Sequence, residues 1–153
     1  MHGLELARHI RRIVRDDDTA QDLLQDTLLR AHRALTRLGP EANERAWLYR
    51  IATNAALNHL RGQVRERRAL ERAAREPDTS STGDDGRADT AAERRDALWR
   101  RVAELPERQR VALTLRVADE LEYDEIASRM GCTAAAARAN VYQATRKLRL
   151  EVR

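Results

Sequence analysis

The chain has 153 residues, 35% of them charged and only 3% aromatic, with no phenylalanine. Such a composition argues against one large core and for two small helical domains. The net charge of +4, carried almost wholly by arginine, favours a polyanionic partner, and the single cysteine, Cys132, excludes an internal disulfide and any cysteine-cluster zinc site. The N-terminus has no apolar leader, and no apolar run approaches the roughly 18 residues of a membrane span. A soluble, cytoplasmic protein without membrane insertion is expected.

Residues 4–15 read as a first helix, with Leu6, Ile10, Ile13 and Val14 on one face. Asp16-Asp17-Asp18-Thr19 breaks it, and Asp17 or Asp18 is placed to cap the next helix. That helix, from about Thr19 to Leu35, has a buried stripe of Ala20, Leu24, Thr27, Leu28, Ala31 and Leu35. A second stripe, Asp22, Gln25, Asp26 and Leu29, reads equally as an acidic surface with a stray leucine or as a docking face with a polar rim.

Gly39-Pro40-Glu41-Ala42-Asn43 forms a loop, with Asn43 the expected cap of the third helix. That helix carries two faces. Leu48, Ile51, Ala52, Ala55 and Ala56 lie on the apolar one. Trp47, Arg50, Asn54, Asn58 and Arg61 form a stripe of groups that stack on bases, bond base edges and neutralise phosphates. From Glu44 to Arg68 there are six Arg and two Glu, a local net of +4. Any one of these residues alone fits a basic surface helix; five on one stripe point to nucleic acid.

Residues 76–90 hold no large apolar side chain and read as a flexible linker. A helix then follows from about Ala91 to Glu104, with Leu98, Trp99, Val102 and Leu105 as its core face. Pro106 breaks it and starts another, running to about Ala118, that buries a combination of Val111, Leu113 or Ala112, Leu115 and Val117. Tyr123 to Met130, the turn Gly131-Cys132-Thr133 and a helix from Ala134 to about Leu150 have the pattern of a helix-turn-helix. Gly131 can supply positive φ, Thr133 can cap, and Cys132 fits as a small apolar group in the turn. The last helix carries Arg138, Asn140, Tyr142, Gln143, Arg146, Lys147 and Arg149, whereas Asp119, Glu120, Glu122, Asp124 and Glu125 form an acidic cluster upstream.

On these residues the chain resembles a bacterial RNA polymerase sigma factor of the extracytoplasmic-function (ECF) group. Asp22 to Arg33 is similar to the family's "DLVQETFLRAWR", and Trp47 to Arg61 to "WLYRIARNLAIDHLR". Leu105 to Arg110 with Tyr123 to Lys147 is similar to "LPPRQRE…YEEIAEILGCSVGTVRSRLHRARKRLR". The resemblance implies an all-α chain: a region 2 bundle over 1–68, a linker over 69–95 and a region 4 helix-turn-helix over 96–153. It implies docking on core RNA polymerase through Asp22, Gln25, Asp26, Leu29 and Arg30. It implies recognition and melting of the minus-ten element through Asn43, Arg45, Trp47, Arg50, Asn54, Asn58 and Arg61. Minus-thirty-five recognition falls to Thr133, Arg138, Asn140, Tyr142, Arg146 and Lys147. Its partners would be core polymerase, promoter DNA and an anti-sigma factor. Departures from the family pattern are Asn58 for Asp, Glu120 and Glu122 for Gly and Ser, which removes the usual cap of the first helix of the motif, and Ala134–Ala137 for Val-Gly-Thr-Val.

Two other readings use less of the chain. An autonomous helix-turn-helix regulator leaves Asp22–Arg33 and the Trp47–Arg61 helix without a task. A polymerase-binding module with degraded promoter reading is suggested by the alanine-rich last helix. An enzyme fits least: His2, His9, His32 and His59 lie on different helices without metal-ligand spacing, read as surface or boundary residues, and neither a phosphate loop nor a nucleophile motif is present. No cofactor and no metal are expected.

Overall fold

The computed structural model describes the backbone of residues 2–74 and 91–151, and among them there is helix and no strand. In chain order the helices are α1 (Gly3–Val14), α2 (Asp17–Ala34), a short 3-10 turn (Leu35–Arg37), α3 (Glu44–Ala74), α4 (Ala91–Ala103), α5 (Glu107–Val117), α6 (Tyr123–Met130) and α7 (Ala134–Glu151). The segment read as a linker, 76–90, lies outside the described residues.

Helix α1 buries Leu6, Ile10 and Ile13 completely and ends at Arg15, which turns left-handed at φ 56°. The cap of α2 is Asp16, not Asp17 or Asp18. Asp16 keeps extended backbone, and its carboxylate accepts from the Thr19 amide at 3.0 Å. Asp17 and Asp18 are already helical and instead set negative charge beside the free N–H groups of the first turn. The buried line of α2 is Ala20, Thr27 and Ala31; Leu28 and Leu35, expected inside, are exposed. These small residues make the contact with α1 and α3, Leu23 and Leu24 pack partly against the core, and Leu28 and Leu35 lie at the rim. Thr27 meets its own hydrogen-bonding need by donating to the Leu23 carbonyl at 2.7 Å.

Helix α3 starts on Asn43, whose side-chain oxygen accepts from the Ala46 amide at 3.0 Å. It buries Leu48, Tyr49, Ala52, Thr53, Ala56, Leu57 and Val64, and continues past Arg68 to Ala74. In the second half, the middle of α5 is enclosed, burying Val111, Ala112, Leu113, Thr114 and Leu115 consecutively, while its first turn and Val117 stay exposed. Val117 and Leu98, both expected in the core, are exposed: Val117 ends α5, and Leu98 points outward from α4 between half-buried neighbours. Helices α6 and α7 meet through Gly131 at φ 65°, and Thr133 caps α7 by accepting from the Ala136 amide at 3.1 Å. At the start of α6, Glu122 makes no side-chain cap bond.

The two helical domains are thus α1–α3 and α4–α7. Their buried side chains nevertheless form one connected cluster, because α3 packs against α4, α5 and α6. Composition pointed to separate small cores; the long α3 supplies a wall to both.

Candidate nucleic-acid interface

The outer face of α2 presents Asp22, Gln25, Asp26, Leu29 and Arg30, all exposed. Arg30 pairs with Asp26 one turn away at 3.1 Å. Leu29 is 51% exposed and Leu28 stands beside it, a small apolar spot within carboxylates and amides. Among the described residues no other element covers it.

The α3 stripe divides. Its N-terminal part faces the second domain. Arg50 lies 3.4 Å from the carboxylate of Glu107, and the Asn54 amide donates to the same oxygen at 2.9 Å. The Asn54 side-chain oxygen is buried without a hydrogen-bond partner. The Asn43 amide stands where a side chain on Gly131 would begin, 2.6 Å from an ideal Cβ. Trp47 is half-buried at the edge of the core. Trp47, Arg50, Glu107, Arg108, Cys132 and Asn140 line an interdomain cavity of about 400 Å³. Burial pushes the Cys132 thiol up in pKa, and the charge of Arg108 only partly opposes this, so the thiol is an apolar filler. Arg45, which the resemblance joins to these residues, is engaged elsewhere. It bonds Glu5 at 3.1 and 3.3 Å, reaches Ser128 at 3.5 Å and tilts over the Tyr49 ring. Its first task is to tie α3 to α1.

Further along, Asn58 is exposed, and Arg61 joins Arg65, Arg68, Arg72 and Arg100 around a groove of about 260 Å³ that has one acidic group, Glu104, among the described residues. Burial lowers the pKa of nearby Arg110, with Arg61 adding to the effect against Glu107. Five guanidiniums around one carboxylate form a surface suited to phosphate.

Helix α7 also divides its predicted residues. Arg138, Tyr142 and Arg146 stand on one face with Thr145 and Arg149, lining an open groove of about 440 Å³. Arg138 and Arg116 sit 5.1 and 5.0 Å from the centre of the Tyr123 ring, which fixes the Arg138 stem at the start of that face. Asn140 lies on the opposite side, bonded to the Ala136 carbonyl at 3.0 Å and turned into the interdomain cavity. Lys147 is half-buried, and Thr133 is occupied as a cap.

One cluster escaped the sequence reading. His9, expected at the surface or a boundary, is 1% exposed, and Asp119, counted in an acidic cluster, is 7% exposed. His9 Nδ1 lies 2.6 Å from Asp119, and Nε2 lies 2.7 Å from the Thr53 hydroxyl. A carboxylate only accepts, so Nδ1 carries the proton. Arg12 donates to the other Asp119 oxygen at 3.2 Å, and Arg129 stands at 3.8 Å. Burial pushes the Asp119 carboxyl up, but the bonds and charges of His9 and Arg12 outweigh it and hold the carboxyl below its ordinary value. The spacing Leu6-His9-Ile13 places His9 on the buried stripe, so periodicity held the signal for one partner. Among the described residues no cluster of His, Cys, Asp and Glu is placed to hold a metal. No helix there is long and apolar enough to cross a membrane.

Comparison with known proteins accounts for both halves. Residues 1–66 match the family "Sigma-70 region 2", and residues 95–148 match "Sigma-70, region 4". The RNA polymerase sigma-H factor of Pseudomonas aeruginosa is 32% identical over 149 residues, covering 87% of this chain and 72% of that protein. The ECF RNA polymerase sigma-E factor of Escherichia coli K12 is 32% identical over 130 residues, covering 80% and 68%. Among solved structures, the sigma factor RpoE of Bartonella quintana, in complex with the anti-sigma factor NepR, has the same fold. The TM-score is 0.50 at 24% identity, over 95% of this chain and 88% of that one.

Proposed function

This chain belongs to the ECF group of the sigma-70 family, and we propose how its surface is divided among the partners of a sigma factor. As such a factor it binds core RNA polymerase and directs promoter-specific transcription initiation, supplying specificity while the polymerase supplies catalysis. It acts in the cytoplasm, where polymerase and promoter are. Residues 1–68 form the docking and minus-ten unit, 69–95 the connection, and 96–153 the minus-thirty-five unit.

Docking on polymerase runs through Asp22, Gln25, Asp26, Leu29 and Arg30. The observation that carries this is Leu29, half-exposed among carboxylates on the outer face of α2, which no other element covers among the described residues. Minus-ten reading uses Arg50 and Asn54, with Asn43 and Trp47 beside them and Asn58 and Arg61 along the same stripe. A base leaving the stack costs a few kcal/mol, roughly, and the polar and stacking groups of this stripe offset that. Arg45 supports the helix. Minus-thirty-five reading uses Arg138, Tyr142 and Arg146, with Thr133 setting the start of the helix and Lys147 and Asn140 in supporting places. An anti-sigma factor is a further partner; the similar Bartonella protein was solved with one.

The test is binding of the purified chain to core polymerase, wild type beside Asp26→Arg/Leu29→Ala. Tight binding by wild type and a loss of at least tenfold in the variant is expected, with helical content unchanged. DNA binding by the chain alone, with no affinity for core polymerase, would leave an autonomous helix-turn-helix regulator in its place.

A further inference from the structure

We propose that the arginine groove between α3 and α4 is a binding site for a compact polyphosphate, an anion whose phosphates are directly joined, as in inorganic triphosphate or the tail of a nucleotide.

Four of the arginines, Arg61, Arg65, Arg68 and Arg72, come from one face of α3, each about one turn from the next. Arg100 reaches in from α4 on the facing wall, and the buried Val64 adds an apolar part to the lining. Glu104, the one carboxylate lining the groove among the described residues, is exposed. Among the described residues none of the five arginines is in an ion pair. The pair nearby, Arg67 with Asp96, joins the same two helices and uses none of them. Around a cavity this small, the screening length of physiological salt, roughly 8 Å, leaves the guanidiniums to repel one another. A solvated helix face disperses its charge, whereas here two helices bring one sign to one place.

Arg100 supplies the second observation. It is half-buried, and its Nε is shut off from water with no hydrogen-bond partner. A buried donor on a charged group costs free energy until an acceptor meets it. A phosphate provides that acceptor, since the planar guanidinium takes its oxygens through Nε and Nη together. Arg110, close enough to Arg61 for their charges to oppose each other, also has a buried, unpartnered Nε.

The two walls select the kind of phosphate. A nucleic-acid strand sets sugars between its phosphates and lays them in a line, so the row on α3 suffices for it and Arg100 has no part. Directly joined phosphates gather their oxygens within a space of about 260 Å³ and are held from both walls at once. Arg61 belongs to the groove and to the promoter stripe, so a bound polyphosphate competes with DNA for it. That consequence rests on the assignment of Arg61 to promoter reading; the site itself does not.

Calorimetric titration of the full chain with sodium tripolyphosphate, at about 0.15 M salt and without divalent metal, reads the site. Wild type is expected to bind, with affinity about tenfold or more weaker in Arg100→Ala and in Arg68→Gln. Arg37→Gln removes the same charge from an exposed position elsewhere and should bind as wild type does. Arg68 is exposed, so Arg68→Gln keeps the test available if Arg100→Ala does not fold. No binding by wild type overturns the proposal. So does an equal loss in Arg37→Gln, or inorganic phosphate bound as tightly as tripolyphosphate, since either reduces the groove to diffuse charge. ATP in place of tripolyphosphate separates the two sources: equal affinity means that the phosphate chain alone is read, and tighter binding means that a nucleotide is the ligand. Anisotropy with a fluorescein-labelled mixed-sequence single strand of about 20 nucleotides tests the groove as a nucleic-acid track. Arg100→Ala should bind the strand within about twofold of wild type, and parallel losses of strand and tripolyphosphate would overturn the proposal. In wild type, tripolyphosphate should displace part of the strand. Tight tripolyphosphate binding without displacement would undo the assignment of Arg61 to promoter reading and leave the site standing.

Discussion

Glu120 adopts φ 54°, a left-handed conformation that costs an L side chain about 1–2 kcal/mol. The family pattern has glycine at this place, and the backbone gives the reason. Glu120→Gly should therefore raise stability by about 0.5–1 kcal/mol, part of the relief being offset by the greater freedom of an unfolded glycine. Thermal unfolding checks this: an increase of a few degrees is expected, and a decrease would show that the glutamate makes a contact worth more than the strain. Gly131 presents the opposite case. At φ 65°, with the Asn43 amide 2.6 Å from where a Cβ would stand, Gly131→Ala strains the turn and pushes on the first domain at once. A loss of about 1–2 kcal/mol in the same assay is expected. Gly131, Thr133 and Asn43 were legible in the sequence because a cap or a turn is decided within four residues. The cap of α2 was missed by one position because three adjacent aspartates offer the same chemistry, and only backbone dihedrals choose Asp16. The pairing of His9 with Asp119 was out of reach for a different reason: 110 positions separate them, and only the packing of α1 on the second domain brings them together.

Helices carried most of what the sequence made readable, since apolar spacing of 3.6 fixes which face turns inward. It failed where the position of neighbouring helices, not spacing, decides. Leu28 and Leu35 fit the buried stripe of α2 by number, but Ala20, Thr27 and Ala31 make the buried contact and both leucines stay outside it. The rim leucine this creates, Leu28, sits beside Leu29 and enlarges the proposed docking spot. On α7 the predicted DNA residues were gathered by charge and hydrogen-bonding type, and the helix sorts them by angle. Arg138, Tyr142 and Arg146 fall together, whereas Asn140 lies about half a turn away and bonds its own backbone. Arg146→Ala should weaken holoenzyme binding to promoter duplex and lower the salt slope by about one. Asn140→Ala should leave both nearly unchanged. Titration of duplex binding against salt for the two variants checks the pair of expectations; an equal loss in both would mean that α7 meets DNA with a different face.

At the scale of the whole molecule, the buried pair of His9 and Asp119, which joins the two domains, makes domain closure depend on acid in a direction that can be worked out. Asp119 faces His9 and Arg12 from α1 and Arg129 from α6, and its charge reaches Tyr49 of α3. Burial alone would push its carboxyl up, yet His9 and Arg12 hold it below the ordinary value of 3.8. A carboxyl depressed in the closed form binds its proton more readily once released. Its contribution to closure is therefore complete above the ordinary carboxylate range, about pH 4, and disappears as pH falls through the lower closed-form value. Scattering should show no change in radius from Asp119 between neutral pH and about pH 4, and expansion below that. Other carboxylates also titrate there; Asp16, for one, is lowered by its bonds to Thr19. The difference between wild type and Asp119→Asn isolates that pair. The amide keeps an acceptor for His9 but loses the charge that Arg12 and Arg129 answer. The variant should therefore be more open at neutral pH and should lack the share of the acid transition that Asp119 supplies. Equal radii for the two proteins at neutral pH, with coincident acid transitions, would place the hold between the domains in their shared apolar cluster and leave the buried pair as filling.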